Sequence, residues 1–254
     1  MAIYARYEHA GSRSYGLVEG NIIHQLQGGL PDPPQRTGKT VPVAEVKLLT
    51  PHVPPKIFAV GLNYKSHLGT RAVPANPEIF YKPVTCLQNP EDPIEIPEGA
   101  GAPHFEGELV VVMGRTARHV SVGEAPDCVF GVTCGNDVSE RSWQSGDRQW
   151  WRAKGSDTFG PAGPFIVTGL NYGDLQLQSR LNGSVMQSQR TSDLLFDIPT
   201  VISYISRYVT LEPGDMIFTG TPGNTSGLQP GDVVEIEIEG VGVLRNPVTS
   251  YTPA

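Results

Sequence analysis

Glycine and proline punctuate the whole chain, and this feature constrains its fold more than any other. The 254 residues include 29 glycines and 23 prolines, which separate short segments rich in β-branched and aromatic residues. Such punctuation is typical of many turns between short strands. With 39% hydrophobic and 18% charged residues, the composition is that of a globular chain. We therefore predict a β-rich α+β fold with few helices.

The first fifty residues are predicted to form a unit of their own. Residues 3–7, 15–19 and 22–26 are β-prone and separated by turn residues, a pattern that predicts a small β-meander. Residues 28–40 are rich in glycine, proline and polar residues, which predicts a loop or linker. The predicted organisation is a small N-terminal β-domain at residues 1–50 and a larger domain at residues 51–254.

The larger domain contains two segments with helical spacing. Residues 139–151 are polar and aromatic, and residues 194–208 carry apolar residues at a helical period, with Pro199 near the first turn, where helices tolerate it. Residues 74–103 are rich in proline and predicted to be irregular. Predicted strands cover residues 56–60, 105–114, 128–134, 165–168, 175–181, 185–187, 216–219, 233–238 and 242–246.

Charge and cysteine content limit the possible partners and location. The formal charge is −7 and there is no basic run, which argues against nucleic acid. The longest strongly apolar run near the middle, residues 109–113, is too short to span a bilayer. Three cysteines without C-x-x-C spacing favour reduced thiols, and the N-terminus has no apolar signal region. We expect a cytoplasmic protein that acts on small molecules, with neither nucleic acid nor membrane as a partner.

Three acidic residues form the leading candidate for a functional site. Glu106 and Glu108 are two apart in a predicted strand, so their carboxylates lie on one face. Closely placed carboxylates repel each other unless one binds a proton or both share a cation. Asp137 follows a second predicted strand and is the natural third ligand. The alternative is a solvated strand face with a helix N-cap at Asp137 or Ser139, since the pattern E-x-E is common.

Several motifs, taken in order, resemble the fumarylacetoacetate hydrolase family from about Lys56 to the C-terminus. The motifs are GLNYKSH (61–67), FYKP (80–83), FEGEL (105–109), NDVSER (136–141), KGSDTFGP (154–161), NG (182–183) and PGDMIFTGTP (213–222). Each motif is weak alone, but the ordered set is specific. The first fifty residues are similar to the small β-domain that many bacterial members carry.

This resemblance implies a fold, an assembly and a chemistry. The implied fold is a mixed β-sandwich or roll, usually a homodimer, with Mg²⁺ or Mn²⁺ bound by Glu106, Glu108 and Asp137. Family substrates are 2-oxo and β-diketo acids, such as acylpyruvates, oxaloacetate and 2-hydroxy-dienedioates. The implied reactions are carbon–carbon bond hydrolysis, decarboxylation, and isomerisation or tautomerisation in aromatic compound degradation, all through an enolate that the cation stabilises.

The resemblance also assigns roles to the surrounding residues. Lys154 matches the active-site lysine, and His67 matches the histidine that acts as general base. Arg141 and Gln144 match the residues that orient the substrate, and they are three apart on a predicted helix. Thr221 matches a position that lines the pocket. The alternatives without a functional role are a surface lysine for Lys154, a structural histidine for His67, a solvated helix face for Arg141 and Gln144, and a turn residue for Thr221.

One position departs from the family pattern. Hydrolases of the family carry His-x-x-Glu, whereas His67 is followed by Thr70. Threonine does not stabilise an imidazolium as a carboxylate does, so activation of water is the step most affected. Isomerisation and decarboxylation need no activated water and tolerate the change better. Glu78 is the alternative carboxylate, and a member that binds metal and metabolite without turnover is the alternative function.

Overall fold

Five strands form the N-terminal part of the computed structural model, which describes residues 1–31 and 35–252. They are β1 (Ala2–His9), β2 (Ser12–Glu19), β3 (Ile22–Gln27), β4 (Gln35–Pro42) and β5 (Lys47–Leu49). The three predicted strands of the meander are confirmed. The predicted loop at residues 28–40 is wrong from Gln35 onward, because β4 pairs with β3, with Ile23 opposite Val41. Residues 32–34 of that loop lie outside the described residues.

The larger part of the chain contributes fourteen further strands among the described residues. They are β6 (Ile57–Gly61), β7 (Glu78–Lys82), β8 (Leu87–Gln88), β9 (Ile94–Ile96), β10 (Pro103–His104), β11 (Gly107–Met113), β12 (Val129–Asn136), β13 (Ser139–Glu140), β14 (Gly160–Thr168), β15 (Gln176–Leu181), β16 (Ser184–Arg190), β17 (Met216–Phe218), β18 (Val233–Ile238) and β19 (Gly242–Ser250). All the predicted strands of this region are present. The prediction of an irregular stretch at residues 74–103 is wrong in part, because it contains β7, β8 and β9 and ends at the first residue of β10.

Two main sheets organise these strands. The twelve-stranded sheet runs β4-β3-β2-β1-β14-β12-β11-β17-β6-β7, with β5 beside β1 and β8 beside β14. The five-stranded sheet runs β16-β15-β18-β19-β9, and β10 pairs with β13. Most pairs are antiparallel, whereas β17–β6, β14–β8 and β19–β9 are parallel. The small N-terminal domain joins the main sheet through the pairing of β1 with β14.

The main core lies where the two sheets meet. Strand β11 is buried along its whole length, and its residues Leu109 and Val111 belong to one apolar cluster with Ile236 of β18 and Ile202. Removal of this apolar area from water is the dominant favourable contribution to folding. The predicted β-rich fold with a mixed sandwich is confirmed. The sandwich fixes β11 and β12 rigidly, and both strands lead into the acidic residues described below.

Both helices are shorter than the sequence predicted. Helix α2 (Ile198–Ser206) begins after Asp197, whose carboxylate accepts a hydrogen bond from the Thr200 amide at 2.9 Å. Helix α1 (Arg141–Gly146) covers only part of predicted residues 139–151, because Ser139 and Glu140 form β13 instead. Glycine at position 146 favours the end of α1. Within residues 1–31 and 35–252, no helix is long and apolar enough to cross a membrane.

Candidate metal centre

Glu106, Glu108 and Asp137 converge in the interior of the protein. Gly107 of β11 lies opposite Asn136 of β12, and the Asp137 amide donates to the Glu106 carbonyl at 2.9 Å. This register places the ends of two neighbouring strands side by side. One carboxylate oxygen from each residue lies within 4.8 Å of the others, and all three side chains are buried. The predicted convergence of the three acids is confirmed.

The backbone around the acids is fixed by hydrogen bonds. The Glu106 amide donates to Oδ1 of Asn136 at 2.9 Å, and the Gly220 amide donates to Oε2 of Glu108 at 2.7 Å. Glycine at position 107 makes room for packing: a Cβ there would lie 3.0 Å from Cδ1 of Ile236. A side chain at this position would therefore require Ile236 and Gln187 to shift.

Two basic residues from α1 and the segment after it contact the acids. Nζ of Lys154 lies 2.6 Å from Oε2 of Glu106 and 2.7 Å from Oδ2 of Asp137. Nη2 of Arg141 lies 2.6 Å from Oε1 of Glu106, and its Nη1 donates to Oε1 of Gln144 at 2.8 Å. The predicted neighbours Lys154, Arg141 and Gln144 therefore all lie at the acidic cluster or one contact from it.

Lys82 is a third cation at the cluster, and the sequence analysis gave it no role. Its fully buried ammonium donates to Oδ1 of Asp137 at 2.6 Å and to the carbonyls of Lys154 and Phe159. The signal was present in the sequence: Lys82 belongs to a motif of the resemblance and lies in a short segment of β-prone residues. A lysine within such a segment requires a buried partner or an exposed edge.

Burial and charge act differently on the two glutamates. Burial and the neighbouring Asp137 and Glu106 carboxylates raise the pKa of Glu108 well above its usual range. Burial opposes ionisation of Glu106 too, but Lys154 and Arg141 hold the pKa of that carboxyl below its usual range. Burial disfavours the Lys154 ammonium, yet Asp137 and Glu106 raise its pKa overall. Of the two glutamates, Glu108 is therefore the one that gains more from a proton or a cation.

His67 reaches the cluster from a 3-10 helix (Lys65–His67) after β6. Its Nε2 lies 3.9 Å from Oε1 of Glu106, and its Nδ1 lies 2.6 Å from the carbonyl oxygen of Gly223. Thr70 is exposed on the following loop. The ion pairs of residues 1–31 and 35–252 include none between His67 and Glu78. The described structure thus pairs His67 with a backbone carbonyl and not with a second carboxylate.

The hydroxyl of Thr221 makes two hydrogen bonds beside the acidic cluster. The hydroxyl donates to the Gly107 carbonyl at 2.9 Å and accepts a hydrogen bond from Nε2 of Gln187 at 2.8 Å. Gln187 is also buried and accepts hydrogen bonds from the Gly107 amide and from Ser179. These contacts fix the turn after β17 against β11, and the role of Thr221 toward a substrate stays a prediction.

Thr225 and His104 form a second contact that the sequence analysis missed. Oγ1 of Thr225 accepts a hydrogen bond from Nη2 of Arg141 at 2.8 Å and lies 2.9 Å from Nδ1 of His104. His104 belongs to β10, two residues before Glu106. Burial and the Arg141 guanidinium lower the pKa of His104. The local sequence pattern does not predict this contact, because residues 104 and 225 are 121 positions apart and only the tertiary fold brings them together.

All these groups surround one cavity of about 900 Å³. Its wall includes every residue to which the sequence analysis gave a role: His67, Glu106, Glu108, Asp137, Arg141, Gln144, Lys154 and Thr221. It also includes Thr70 and Glu78. A larger cavity of about 1270 Å³ lies beside β7 and has aromatic walls at Tyr81, Trp151 and Tyr251. The smaller cavity is the candidate site because the acids and cations converge there.

Comparison with known families assigns the chain to a class. Residues 56–249 match the family model described as fumarylacetoacetate (FAA) hydrolase C-terminal. A second model, described as Rv2993c-like, N-terminal, matches residues 4–51. The chain therefore belongs to the fumarylacetoacetate hydrolase family. Its relatives and structural neighbours include proteins named as hydrolases, isomerases and tautomerases.

Two curated relatives illustrate the similarity in sequence. Protein Rv2993c of Mycobacterium tuberculosis is 46% identical over 220 residues, which cover 85% of this chain and 83% of that protein. The mitochondrial oxaloacetate tautomerase FAHD2A of Bos taurus is 38% identical over 223 residues, which cover 82% of this chain and 71% of that protein.

Two solved structures illustrate the similarity in fold. The 2-hydroxyhepta-2,4-diene-1,7-dioate isomerase of Mycobacterium marinum is 39% identical, with a TM-score of 0.93 and full coverage of both chains. The maleylpyruvate hydrolase of Sphingobium sp., in complex with manganese (II) ion and pyruvate, is 30% identical, with a TM-score of 0.83 and coverage of 99% of this chain and 100% of that chain.

Proposed function

We propose that this protein is a divalent-metal-dependent enzyme that isomerises or tautomerises 2-oxo acids by proton transfer. The observation that carries the proposal is the buried convergence of Glu106, Glu108 and Asp137, with ligand oxygens within 4.8 Å of one another. Lys154 and Arg141 lie at the same cluster. His67 Nε2 faces it from the cavity side. Cation site, anion-binding groups and base are thus within one cavity.

The donor set fits a hard divalent cation. Three carboxylates supply only oxygen ligands, which Mg²⁺ and Mn²⁺ prefer. The raised pKa of Glu108, caused by burial and neighbouring acids, marks a position where a cation relieves repulsion. The manganese and pyruvate bound by the related maleylpyruvate hydrolase support the choice of ion. When bound, such a cation supplies Lewis-acid stabilisation of negative charge on substrate oxygens.

The charges of the cavity favour an anionic substrate. Three carboxylates on one divalent cation leave a net charge of about −1. Lys154 and Arg141 lie beside those carboxylates and supply the positive charge that an acid substrate requires. Gln144 accepts from Arg141 through Oε1, so its amide nitrogen is left to donate to the substrate. A 2-oxo acid matches this combination, with a carboxylate beside a carbonyl oxygen.

His67 favours proton transfer over hydrolysis. Its Nε2 carries the lone pair that takes a proton from the carbon next to the 2-oxo group and returns it at another atom. The carbonyl of Gly223 orients the ring but has no charge to stabilise a lasting imidazolium, unlike a carboxylate partner. The tautomerase and isomerase activities named for two relatives support this reaction class.

A panel of 2-oxo acids tests the proposal, with enol absorbance, CO₂ and pyruvate followed together. We expect Mn²⁺ or Mg²⁺ to restore enol–keto conversion after treatment with EDTA, with little CO₂ or hydrolysis product. Glu108→Gln should abolish this conversion, whereas Glu91→Gln, at an exposed ion pair with Arg245, should not. Full turnover by Glu108→Gln would refute the proposal. Tight oxalate binding with no turnover would favour a binding protein, and rapid release of pyruvate from an acylpyruvate would favour a hydrolase.

The same proposal extends to location and assembly. All three cysteines, Cys86, Cys128 and Cys134, are free and buried, which favours a reducing compartment such as the cytoplasm. We propose a homodimer, as the family resemblance implies. Size-exclusion chromatography with light scattering tests this assembly, and a mass near 27.4 kDa would contradict it.

A further inference from the structure

The turn after Pro222 closes over His67 through one short hydrogen bond. Nδ1 of His67 lies 2.6 Å from the carbonyl oxygen of Gly223. A carbonyl oxygen accepts hydrogen bonds and never donates them, so Nδ1 must carry the hydrogen. The neutral ring then has its lone pair on Nε2, the atom that faces Glu106 at 3.9 Å. One backbone carbonyl therefore sets both the tautomer of the ring and the direction of its basic nitrogen.

Hydrogen bonds on both sides hold this carbonyl in place. On one side, the Gly223 amide donates to the hydroxyl of Ser66 at 2.9 Å, and that hydroxyl donates to Oε1 of Gln189 at 2.5 Å. Ser66 is the residue immediately before His67. The backbone at Gly223 has a φ of +60°, a left-handed conformation that glycine adopts at little cost.

On the other side, Thr225 ties the turn to the basic residue of the site. Its Oγ1 accepts from Arg141 at 2.8 Å and lies 2.9 Å from Nδ1 of His104. Arg141 in turn contacts Glu106 at 2.6 Å. The turn at residues 223–225 is thus fixed at two points. Ser66 holds it next to the base, and Arg141 holds it next to the acidic cluster.

We propose that the turn at residues 223–225 orients His67 in place of a carboxylate partner, and that Ser66 and Thr225 are its positioning residues. The inference rests on the proposed function, because it assigns His67 as the base of that reaction. It accounts for Thr70 at the position where the resemblance leads one to expect glutamate. Ser66 and Thr225 touch no reacting atom in this account; Ser66 acts through the turn, and Thr225 acts through the turn and through its contact with Arg141.

The ring tautomer gives a test that does not depend on turnover. Long-range ¹H–¹⁵N spectra of the Mg²⁺-loaded protein at about pH 8, above the ordinary imidazole pKa, distinguish Nδ1–H from Nε2–H. His67→Gln identifies the signal of residue 67 among the six histidines. We expect Nδ1–H alone in the native protein and a mixture of tautomers in Ser66→Ala. Nε2–H in the native protein, or an unchanged tautomer in Ser66→Ala, would overturn the proposal.

A kinetic cycle separates a positioning role from a structural one. We expect Ser66→Ala and Thr225→Val each to lower kcat about tenfold, a loss on the scale of one hydrogen bond. Mn²⁺ affinity should change little in both variants, and KM should change little in Ser66→Ala. Ser66→Thr and Thr225→Ser, which keep the hydroxyl, should restore most of kcat. Ser121→Ala removes an exposed hydroxyl outside the cavity, which donates to Oε2 of Glu124 at 2.7 Å, and it should behave like the native enzyme.

His67→Ala completes the cycle and separates the two proposals. In that background, Ser66→Ala should cause no further loss, because its effect passes through the ring. An equal further loss would show a purely structural role and overturn the inference. If His67→Ala itself keeps full turnover, the proposed base fails and the reaction assignment fails with it. If only His67→Ala is inactive, and Ser66→Ala and Thr225→Val match Ser121→Ala, the inference alone fails.

Discussion

The ammonium of Lys82 lies 2.6 Å from Oδ1 of Asp137, whereas Lys154 lies 2.7 Å from the other oxygen of the same carboxylate. Asp137 is therefore held between two buried lysines. A cation bound by the three acids would share Asp137 with both. Lys82, which also donates to two carbonyls, is placed to fix the carboxylate. Lys154, which bridges Asp137 and Glu106, is placed at the side of the cluster that faces the cavity.

Removal of Lys82 should destabilise the fold. Lys82→Met leaves the buried Asp137 carboxylate without one partner and two carbonyls without a donor, and loss of one member of a buried pair costs about 3–5 kcal/mol. Urea unfolding measures the loss. Lys47→Met is the control, since Lys47 pairs with Asp92 at a half-exposed position and should cost less than about 1 kcal/mol. Equal losses in the two variants would contradict the assigned role.

Removal of Lys154 should separate metal binding from catalysis. The ammonium competes with a cation for oxygens of Glu106 and Asp137, so Lys154→Met should bind Mn²⁺ more tightly than the native protein. Turnover should fall about 100- to 1000-fold, because a charge placed at the substrate is lost. Calorimetry and initial rates check the two effects. Weaker Mn²⁺ binding together with native turnover would reverse the assignment.

Metal affinity should depend on pH through Glu108. Its pKa is raised by burial and by the neighbouring Asp137 and Glu106, so without a cation it holds a proton above the usual range of a carboxyl group. A cation must displace this proton, and affinity should therefore rise with pH through that raised range. Calorimetry in buffers of different ionisation enthalpy counts the protons released. Affinity that does not change with pH, with no proton release, would contradict this prediction.

Activity should require the guanidinium group of Arg141 and not only a positive charge at that position. It contacts Glu106 and Thr225 through one nitrogen and Gln144 through another, and a lysine ammonium cannot keep this geometry. Arg141→Lys should lower kcat/KM about 10- to 100-fold, on the scale of charged hydrogen bonds. Arg180→Lys is a matched control, because Arg180 is equally exposed and pairs with Glu237 outside the site. Native kcat/KM in Arg141→Lys would show that charge alone suffices.

Much of the fold follows from local sequence patterns. Where the predictions from those patterns were wrong, the reason is physical. The strands with alternating or continuous apolar residues were predicted, as β11 and β18 illustrate. Strand β4 was predicted as loop because its outer residues are polar and exposed at the edge of the sheet. The helix at residues 139–151 was overestimated because Glu140 caps α1 and the chain leaves the helix after Gly146. Pairing with distant strands decides such segments, and local periodicity does not reveal it.

The site was predictable where its residues are close in sequence or belong to a motif. Glu106 and Glu108 follow from strand alternation, and Asp137 follows from its place after a buried strand. The contacts of Lys82, His104 and Thr225 were missed because each joins segments 55 or more residues apart. The partner of His67 was missed for a further reason: it is a backbone carbonyl, and side-chain patterns carry no information about it.

The most direct test of the cation site is an anomalous difference map from crystals grown with MnCl₂, collected near the manganese absorption edge. We predict a strong peak in contact with oxygens of Glu106, Glu108 and Asp137, and its loss in Glu108→Gln crystals. The ligand distances should be close to those of divalent cations with carboxylates, about 2.0–2.6 Å. Absence of a peak among these three carboxylates at saturating Mn²⁺, or an unchanged peak in Glu108→Gln, would contradict the account.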